Sequence, residues 1–181
     1  FFLSQVGMYY GNSWGRSPRP DQVIDKALKG LGREYTVFHF TTAAQHLLIG
    51  PAGLWIIRPF HQGGTIIYDG KKWRSKGGGF SRSYMRLFGQ ESMGRPELEI
   101  KAEVHALENS LRKKMSPGKV LPTINAIMLF TDPNVDLSIQ DSEFIAIKPE
   151  KMKDILKIAA KERPITEVML AEVREILPKP E

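Results

Sequence analysis

Length, composition and charge set the first limits on this chain. Its 181 residues are 41% hydrophobic and 25% charged, which is ordinary for one folded domain with a substantial apolar core. The formal net charge of +6 permits binding to phosphates or to an anionic membrane surface, but it is equally compatible with a basic protein that binds neither. Cysteine is absent, so disulfides, thiolate catalysis and cysteine-ligated zinc are excluded, and a cytoplasmic location is expected.

The first 19 residues form an apolar arm that ends in positive charge. Residues 1–10 are mainly apolar, and Trp14, Arg16 and Arg19 follow them. An apolar tail, interfacial aromatic residues and then positive charge are typical of the cytoplasmic end of a membrane helix. The arm alone is too short to cross a bilayer, which takes about 20 apolar residues. We therefore expect either the end of a membrane anchor, with the domain at the inner face of the membrane, or an arm packed on the domain or on a second subunit.

A predicted helix and a series of short strands come next. Asp21 is expected to cap the helix, and Gly30 and Gly32 to end it. Runs rich in β-branched and aromatic residues, separated by turn residues, predict strands at 35–40, 45–49, 54–57 and 65–68. The last of these ends in Asp69-Gly70, which predicts a hairpin turn.

The second half of the chain alternates between helix and strand patterns. A long helix is predicted at about 96–115, because Ile100, Val104, Leu107 and Leu111 recur at helical spacing. Residues 124–130 are almost continuously apolar, as in a strand covered on both faces, and 144–147 is a further strand candidate. Helices at 149–162 and 164–177 are expected to pack on the domain or to pair with a partner. The fold class is therefore α/β, a mixed sheet sandwiched by helices, with the domain at 20–148 and a helical pair at 149–181.

Two segments have a more specific pattern. Residues 45–57 combine a strand, a Gly-Pro-x-Gly turn and a second strand, and residues 63–73 contain a Gly-x-x-Trp hairpin. At this spacing, between the opening helix and the long helix, they resemble the nuclease-related (NERD) domain. The resemblance covers about residues 20–132 and implies a core of the restriction-endonuclease-like fold.

The same resemblance identifies where catalytic residues would lie. In active members an Asp precedes the His of the first segment, and a Glu-x-Lys follows the next strand. Two carboxylates hold a divalent metal beside the scissile phosphate, and the lysine stabilises charge there. Here Gln45, Arg58 and Phe60 stand at those three positions, while the acidic residue of the first helix falls near Asp21 or Gln22. No metal site, no cofactor and no enzymatic activity are therefore expected.

A different property is predicted for the basic stretch after the hairpin. Aromatic residues, among them Trp73, alternate there with six bases: Lys71, Lys72, Arg74, Lys76, Arg82 and Arg86. Bases contact phosphates and aromatic faces stack on nucleotide bases, so this stretch is a candidate DNA- or RNA-binding surface. The alternative is a solvated loop in which Trp73 has a packing role.

Histidines offer one further pattern. His39, His46, His61 and His105 are scattered, although His39 and His46 can face each other across a hairpin. Packed or surface histidines are the default reading, and a metal site on them is the minor alternative.

Three functional hypotheses follow. The favoured one is an inactive nuclease-related domain that serves as a scaffold or assembly module and is tethered to a membrane or bound to itself or a protein partner. The second is a nucleic-acid-binding module that uses the 71–86 stretch. The third, an active metal-dependent nuclease, would need carboxylates recruited from elsewhere, such as Asp69 or Glu91.

Overall fold

A computed structural model describes residues 18–76 and 93–178, and these contain four helices and eight strands. The helices are α1 (Pro20–Leu28), α2 (Pro96–Lys114), α3 (Met152–Glu162) and α4 (Glu167–Ile176), with a 3-10 turn at Pro149–Lys151 before α3. The strands are β1 (Thr36–His39), β2 (His46–Gly50), β3 (Gly53–Phe60), β4 (Thr65–Asp69), β5 (Trp73–Lys76), β6 (Ile124–Phe130), β7 (Asp136–Gln140) and β8 (Ile145–Ile147).

The main sheet has five strands in the order β1-β2-β3-β6-β8. The first three form an antiparallel meander, and β6 and β8 then add in parallel. The middle strands β2, β3 and β6 are almost entirely buried, which explains their near-continuous apolar sequences. The sheet is therefore mixed, as predicted.

The second sheet, β5-β4-β7, continues the pairing of the first. β4 and β7 are parallel, like β3 and β6 before them. The Thr131 amide donates to the Phe60 carbonyl at 2.9 Å, and the Asp136 amide donates to the Gly64 carbonyl at 2.9 Å. These two hydrogen bonds continue the pairing of the two chain segments across the break between the sheets. The two parallel pairs thus form one long, interrupted ribbon.

Alternate side chains of β3 point into two separate cores. Leu54, Ile56 and Phe60 pack on the face covered by α2 and α4. Trp55 and Ile57 pack on the opposite face, against α1 and α3. Because successive side chains of a strand point to opposite faces, one strand contributes to both cores. The architecture is helices, sheet and helices in three layers.

The predicted helices are confirmed and cover both faces of the sheet. Ile100, Leu107 and Leu111 of α2 are buried, as their spacing predicted, and Val104 is partly buried. The two C-terminal helices pack on the domain, α3 on the α1 side and α4 on the α2 side. Helix α3 buries Met152 and Leu156, and helix α4 buries Leu170 and Val173.

The predicted cap of the first helix is wrong by two residues. α1 begins at Pro20, and Arg19 is its N-cap. Proline fits a first helical position because its missing N–H is not needed there. The Gln22 side chain accepts a hydrogen bond from the Arg19 amide at 3.1 Å, while Asp21 lies in the first turn and pairs with the Arg19 guanidinium. Strand β7 was not predicted.

Some predictions fall on residues 1–17, 77–92 and 179–181, outside the described part of the chain. They concern most of the N-terminal arm, the bases Arg82 and Arg86, and the candidate carboxylate Glu91. Within residues 18–76 and 93–178, no helix combines the length and the apolar character needed to cross a membrane.

Candidate functional site

Gln45, Arg58 and Phe60 lie just before β2 and along the neighbouring strand β3. In the β2–β3 register Leu47 faces Ile56, so continuing the antiparallel register by two residues places Gln45 opposite Arg58. Gln45 directly precedes β2, and Arg58 belongs to β3. Both are an even number of residues from partners that face α2, so they lie on that side of the sheet. Gln45 and Arg58 both contact Glu103, so these two positions lie close together.

Helix α2 places two carboxylates against Arg58. One guanidinium nitrogen, Nη2, is 3.0 Å from Glu99 Oε2, and the other, Nη1, is 3.7 Å from Glu103 Oε2. Glu99 and Glu103 lie one turn apart on the same helix face. The Arg58 side chain is 24% exposed, so these contacts are partly shielded from water. The guanidinium is the cation between two acids.

Glu103 connects this cluster to Gln45. Its Oε1 accepts a hydrogen bond from the Gln45 amide at 2.5 Å. Among the described residues its Oε2 accepts no hydrogen bond and has only the ion pair with Arg58. Burial raises the pKa of the Glu103 carboxyl, and the Gln45 amide and the Arg58 charge oppose that rise. Sequence reasoning missed Glu103, although it lies on the apolar stripe between Ile100 and Leu107.

The third substituted position is part of the core. Phe60 is 8% exposed, and its ring stacks on Phe130 at a centroid distance of 5.5 Å. It lies two residues beyond Arg58 on the same face of β3. An apolar ring here cannot supply the positive charge that a lysine would bring to a reacting phosphate.

The acidic residue considered on the first helix lies elsewhere. Asp21 belongs to α1, which packs on the other face of the sheet, and its carboxylate is 2.8 Å from the Arg19 guanidinium. In the described ranges, no group of three or more His, Asp or Glu side chains is arranged to hold a metal ion. The cluster at Arg58 consists of one base and two acids, of which Glu103 is buried and Glu99 is half exposed.

The basic hairpin divides into paired and projecting side chains. Asp69 Oδ1 accepts hydrogen bonds from the Lys72 and Lys71 amides at 2.9 and 3.0 Å, which lowers the pKa of its carboxyl. Its Oδ2 is 3.0 Å from Arg74 Nη2. Lys71, Lys72 and Lys76 are exposed, and no described carboxylate lies within ion-pair distance of them. Of the predicted bases in the described part of the chain, three thus project into solvent.

Trp73 packs inside the molecule. Its indole stacks on Tyr68 at 4.6 Å and on Phe130 at 6.3 Å between ring centroids. The indole N–H donates a hydrogen bond to the Glu97 carboxylate of α2. These contacts join the hairpin to the helix and occupy the ring. They favour the packing role over base stacking.

Two histidines meet on the opposite face. His39 and His46 are direct partners in the β1–β2 register, and their Nδ1 atoms are 2.8 Å apart. His39 Nε2 is 3.0 Å from Asp25 Oδ1 of α1. His46 is 1% exposed, and burial, followed by the nearby His39, lowers its pKa to about 3. The pairing across the hairpin is as the sequence suggested.

The remaining histidines have separate surroundings. His61 Nδ1 is 2.6 Å from the Thr131 hydroxyl, at the break between the sheets. His105 is 78% exposed on α2, near Glu108. Neither joins the pair at His46.

Comparisons with protein-family models, with curated proteins and with solved structures found no match to this chain. The nuclease-related resemblance therefore stays a prediction that depends on the motifs and their spacing.

Proposed function

We propose that this chain is a catalytically inactive nuclease-related module that serves as a scaffold for assembly. The order of elements supports the proposal: a helix, a three-stranded meander, a long helix and a parallel strand follow one another, as the resemblance implies. Two of the three positions that would carry catalysis, Gln45 and Arg58, contact the same glutamate. We propose in addition that the core has the restriction-endonuclease-like fold.

The observation that carries the proposal is the ion-pair cluster at Arg58. In a metal-dependent nuclease a divalent ion lies between acidic side chains at the reacting phosphate. Here a guanidinium lies between Glu99 and Glu103. A fixed cation repels Mg²⁺ and has no coordinated water to activate. The ion pairs therefore have a structural role, because they connect β3 to α2.

A cleavage assay tests this proposal. Purified protein is incubated with single- and double-stranded DNA and with RNA, with Mg²⁺ or Mn²⁺ present, and the expected result is intact substrate. A matched Glu103→Gln variant controls for contaminating nucleases. Cleavage that survives repurification and is lost in this variant would overturn the proposal.

A second candidate function is nucleic-acid binding at the hairpin. It is favoured by Lys71, Lys72 and Lys76, three exposed amines without a described carboxylate partner. Arg74 supports it less, because its guanidinium pairs with Asp69. Steeply salt-dependent binding would be the signature of such a surface.

The matching experiment compares two double variants of equal charge change. Lys71→Ser/Lys72→Ser removes the projecting amines, whereas Lys157→Ser/Lys161→Ser removes two exposed amines from α3. If the hairpin binds DNA, the affinity falls several-fold more for the first variant than for the second. The slope of log K against log salt concentration should also become shallower, as expected for the loss of about one to two phosphate contacts. Equal losses of DNA affinity in the two variants would show that binding depends on net charge alone. If the wild-type protein binds no DNA, the scaffold remains the preferred function.

A further inference from the structure

A chain of three titratable groups runs from the surface into the core at the edge of the main sheet. The Asp25 side chain is 57% exposed, His39 is 20% exposed, and His46 is 1% exposed. The contacts between them are Asp25 Oδ1 to His39 Nε2 at 3.0 Å and His39 Nδ1 to His46 Nδ1 at 2.8 Å. Exposure thus falls stepwise along a continuous hydrogen-bonded path.

The contact between the rings restricts where protons can lie. A carboxylate only accepts, so the His39 Nε2–H donates to Asp25. In neutral His39 the Nδ1 atom then carries a lone pair and accepts from the His46 Nδ1–H. Two Nδ1 atoms at 2.8 Å can share one proton, because two N–H groups would point at each other. The path therefore has one arrangement when both rings are neutral.

Protonation of His39 changes this arrangement without breaking it. Charged His39 donates from both nitrogens, so His46 must accept at Nδ1 and move its own proton to Nε2. A second proton, on His46, leaves no acceptor between the rings. The contact must then separate. It lies at the end of the β1–β2 hairpin, where the Phe40 ring meets His46 edge to face at 4.8 Å between centroids and the Phe40 amide donates to the Gln45 carbonyl at 2.7 Å.

We infer that Asp25, His39 and His46 form a pH-sensitive clamp that joins α1 to the β1–β2 hairpin and opens when the imidazole pair takes up a second proton. The clamp is distinct from the Arg58 cluster and does not depend on the proposed function. The charged groups around the buried imidazole are Asp21 and Asp25 of α1, His39 of β1 and Arg58 of β3. Helix α3, which packs on the same face, contributes apolar side chains there.

The first test is nitrogen NMR of the histidine rings in the wild-type protein between pH 8 and pH 2.5, a range that includes the pKa of about 3 to which burial lowers His46. The expected result at pH 8 is His46 with its proton on Nδ1, a form that is the minor one in water, and His39 with its proton on Nε2. The first proton that the pair takes up should leave the Nδ1–Nδ1 contact intact and move the His46 proton to Nε2, and the second proton should break the contact. A His46 ring that carries its proton on Nε2 at pH 8, or a His39–His46 contact that persists when both rings are charged, would overturn the inference.

The second test compares variants under urea denaturation. His39→Leu/His46→Leu replaces the pair by apolar side chains, and His105→Gln changes an exposed histidine as a matched control. The urea concentration at the unfolding midpoint should fall for the wild-type protein and the control as pH falls from 7.5 to 5. The midpoint of the double variant should fall clearly less. An equal loss in all three proteins would contradict the clamp. The wild-type NMR result decides the question should the double variant fail to fold.

Discussion

The two faces of the β2–β3 pair solve the problem of buried polar groups in different ways. On the α2 face, Arg58 and Glu103 are charged and compensate each other. On the α1 face, His39 and His46 share a hydrogen bond, and burial favours the neutral form of His46. Gln45 and His46 are adjacent in sequence yet contact opposite faces, since the Gln45 amide donates to Glu103 of α2 and the His46 ring meets His39 and Phe40. Removing one member of the charged pair leaves an unpaired charge, whereas the neutral pair is disrupted when its rings take up protons.

The largest expected effect comes from reversing the charge at Arg58. Arg58→Glu places a third carboxylate beside Glu99 and Glu103, and the destabilisation should exceed about 4 kcal/mol in the absence of metal. Millimolar Mn²⁺ should recover part of this loss, since a divalent cation can replace the missing positive charge. Thermal unfolding with and without Mn²⁺ measures both changes. A variant as stable as wild type without metal would show that the cluster is not shielded from water.

Neutralising the same residue gives the next largest effect. Arg58→Met leaves buried Glu103 without its cation, which should cost about 2 to 4 kcal/mol in the free energy of unfolding. The control is Lys101→Met, which breaks an exposed pair with Glu143 at 2.7 Å and should cost less than about 1 kcal/mol. Adding Glu103→Gln to Arg58→Met should restore much of the loss. Equal costs for the two single variants would remove the distinction between the cluster and a surface pair.

The histidine face should respond to acid. The pKa of His46 is lowered in the folded protein to about 3 from its ordinary value of 6.5, so the unfolded chain binds the proton more tightly. The stability that neutral His46 gives is therefore present above pH 6.5 and is lost as pH falls toward 3, by up to about 1.4 kcal/mol per pH unit. Urea midpoints of wild type and His46→Leu between pH 7.5 and 4.5 measure this slope. Parallel curves would contradict it.

The opposite sign is expected on the α2 face. Burial raises the pKa of Glu103, so the folded protein binds this proton more tightly than the unfolded chain does. That contribution is fully present below the ordinary carboxyl pKa and is lost as pH rises through the raised value. Glu103→Gln should therefore flatten the part of the pH profile just above the ordinary carboxyl range, by less than about 1 kcal/mol in total. A profile that becomes steeper in the variant would reverse the assignment.

The sequence predicted much of the fold because its patterns were strong. Helix α2 follows from an apolar stripe, and β6 from a nearly continuous apolar run. Strand β7 was not predicted because its five residues, Asp136–Gln140, alternate only between exposed and half-buried positions. Its sequence pattern is therefore weak. Its partner β4 lies far away in sequence, so tertiary pairing decides its conformation.

The site was harder to predict than the fold. The neighbourhood of Gln45 and Arg58 followed from the motif spacing, but Glu99 and Glu103 did not, because glutamates on a helix ordinarily face water. Glu103 is three residues after Ile100 and four before Leu107, so its place on the buried stripe was visible in the spacing alone. A charged residue on an apolar stripe therefore indicates a buried partner.

The parallel contact between β3 and β6 has a consequence for how the chain folds. Leu54 and Ile124 are register partners although about 70 residues separate them, so closing this contact costs considerable chain entropy. The β1–β2–β3 meander needs only short loops. Local hairpins form in microseconds, whereas distant pairings slow folding. The meander, with both faces of its central strand still uncovered, should thus form before β6 arrives and completes the two cores together.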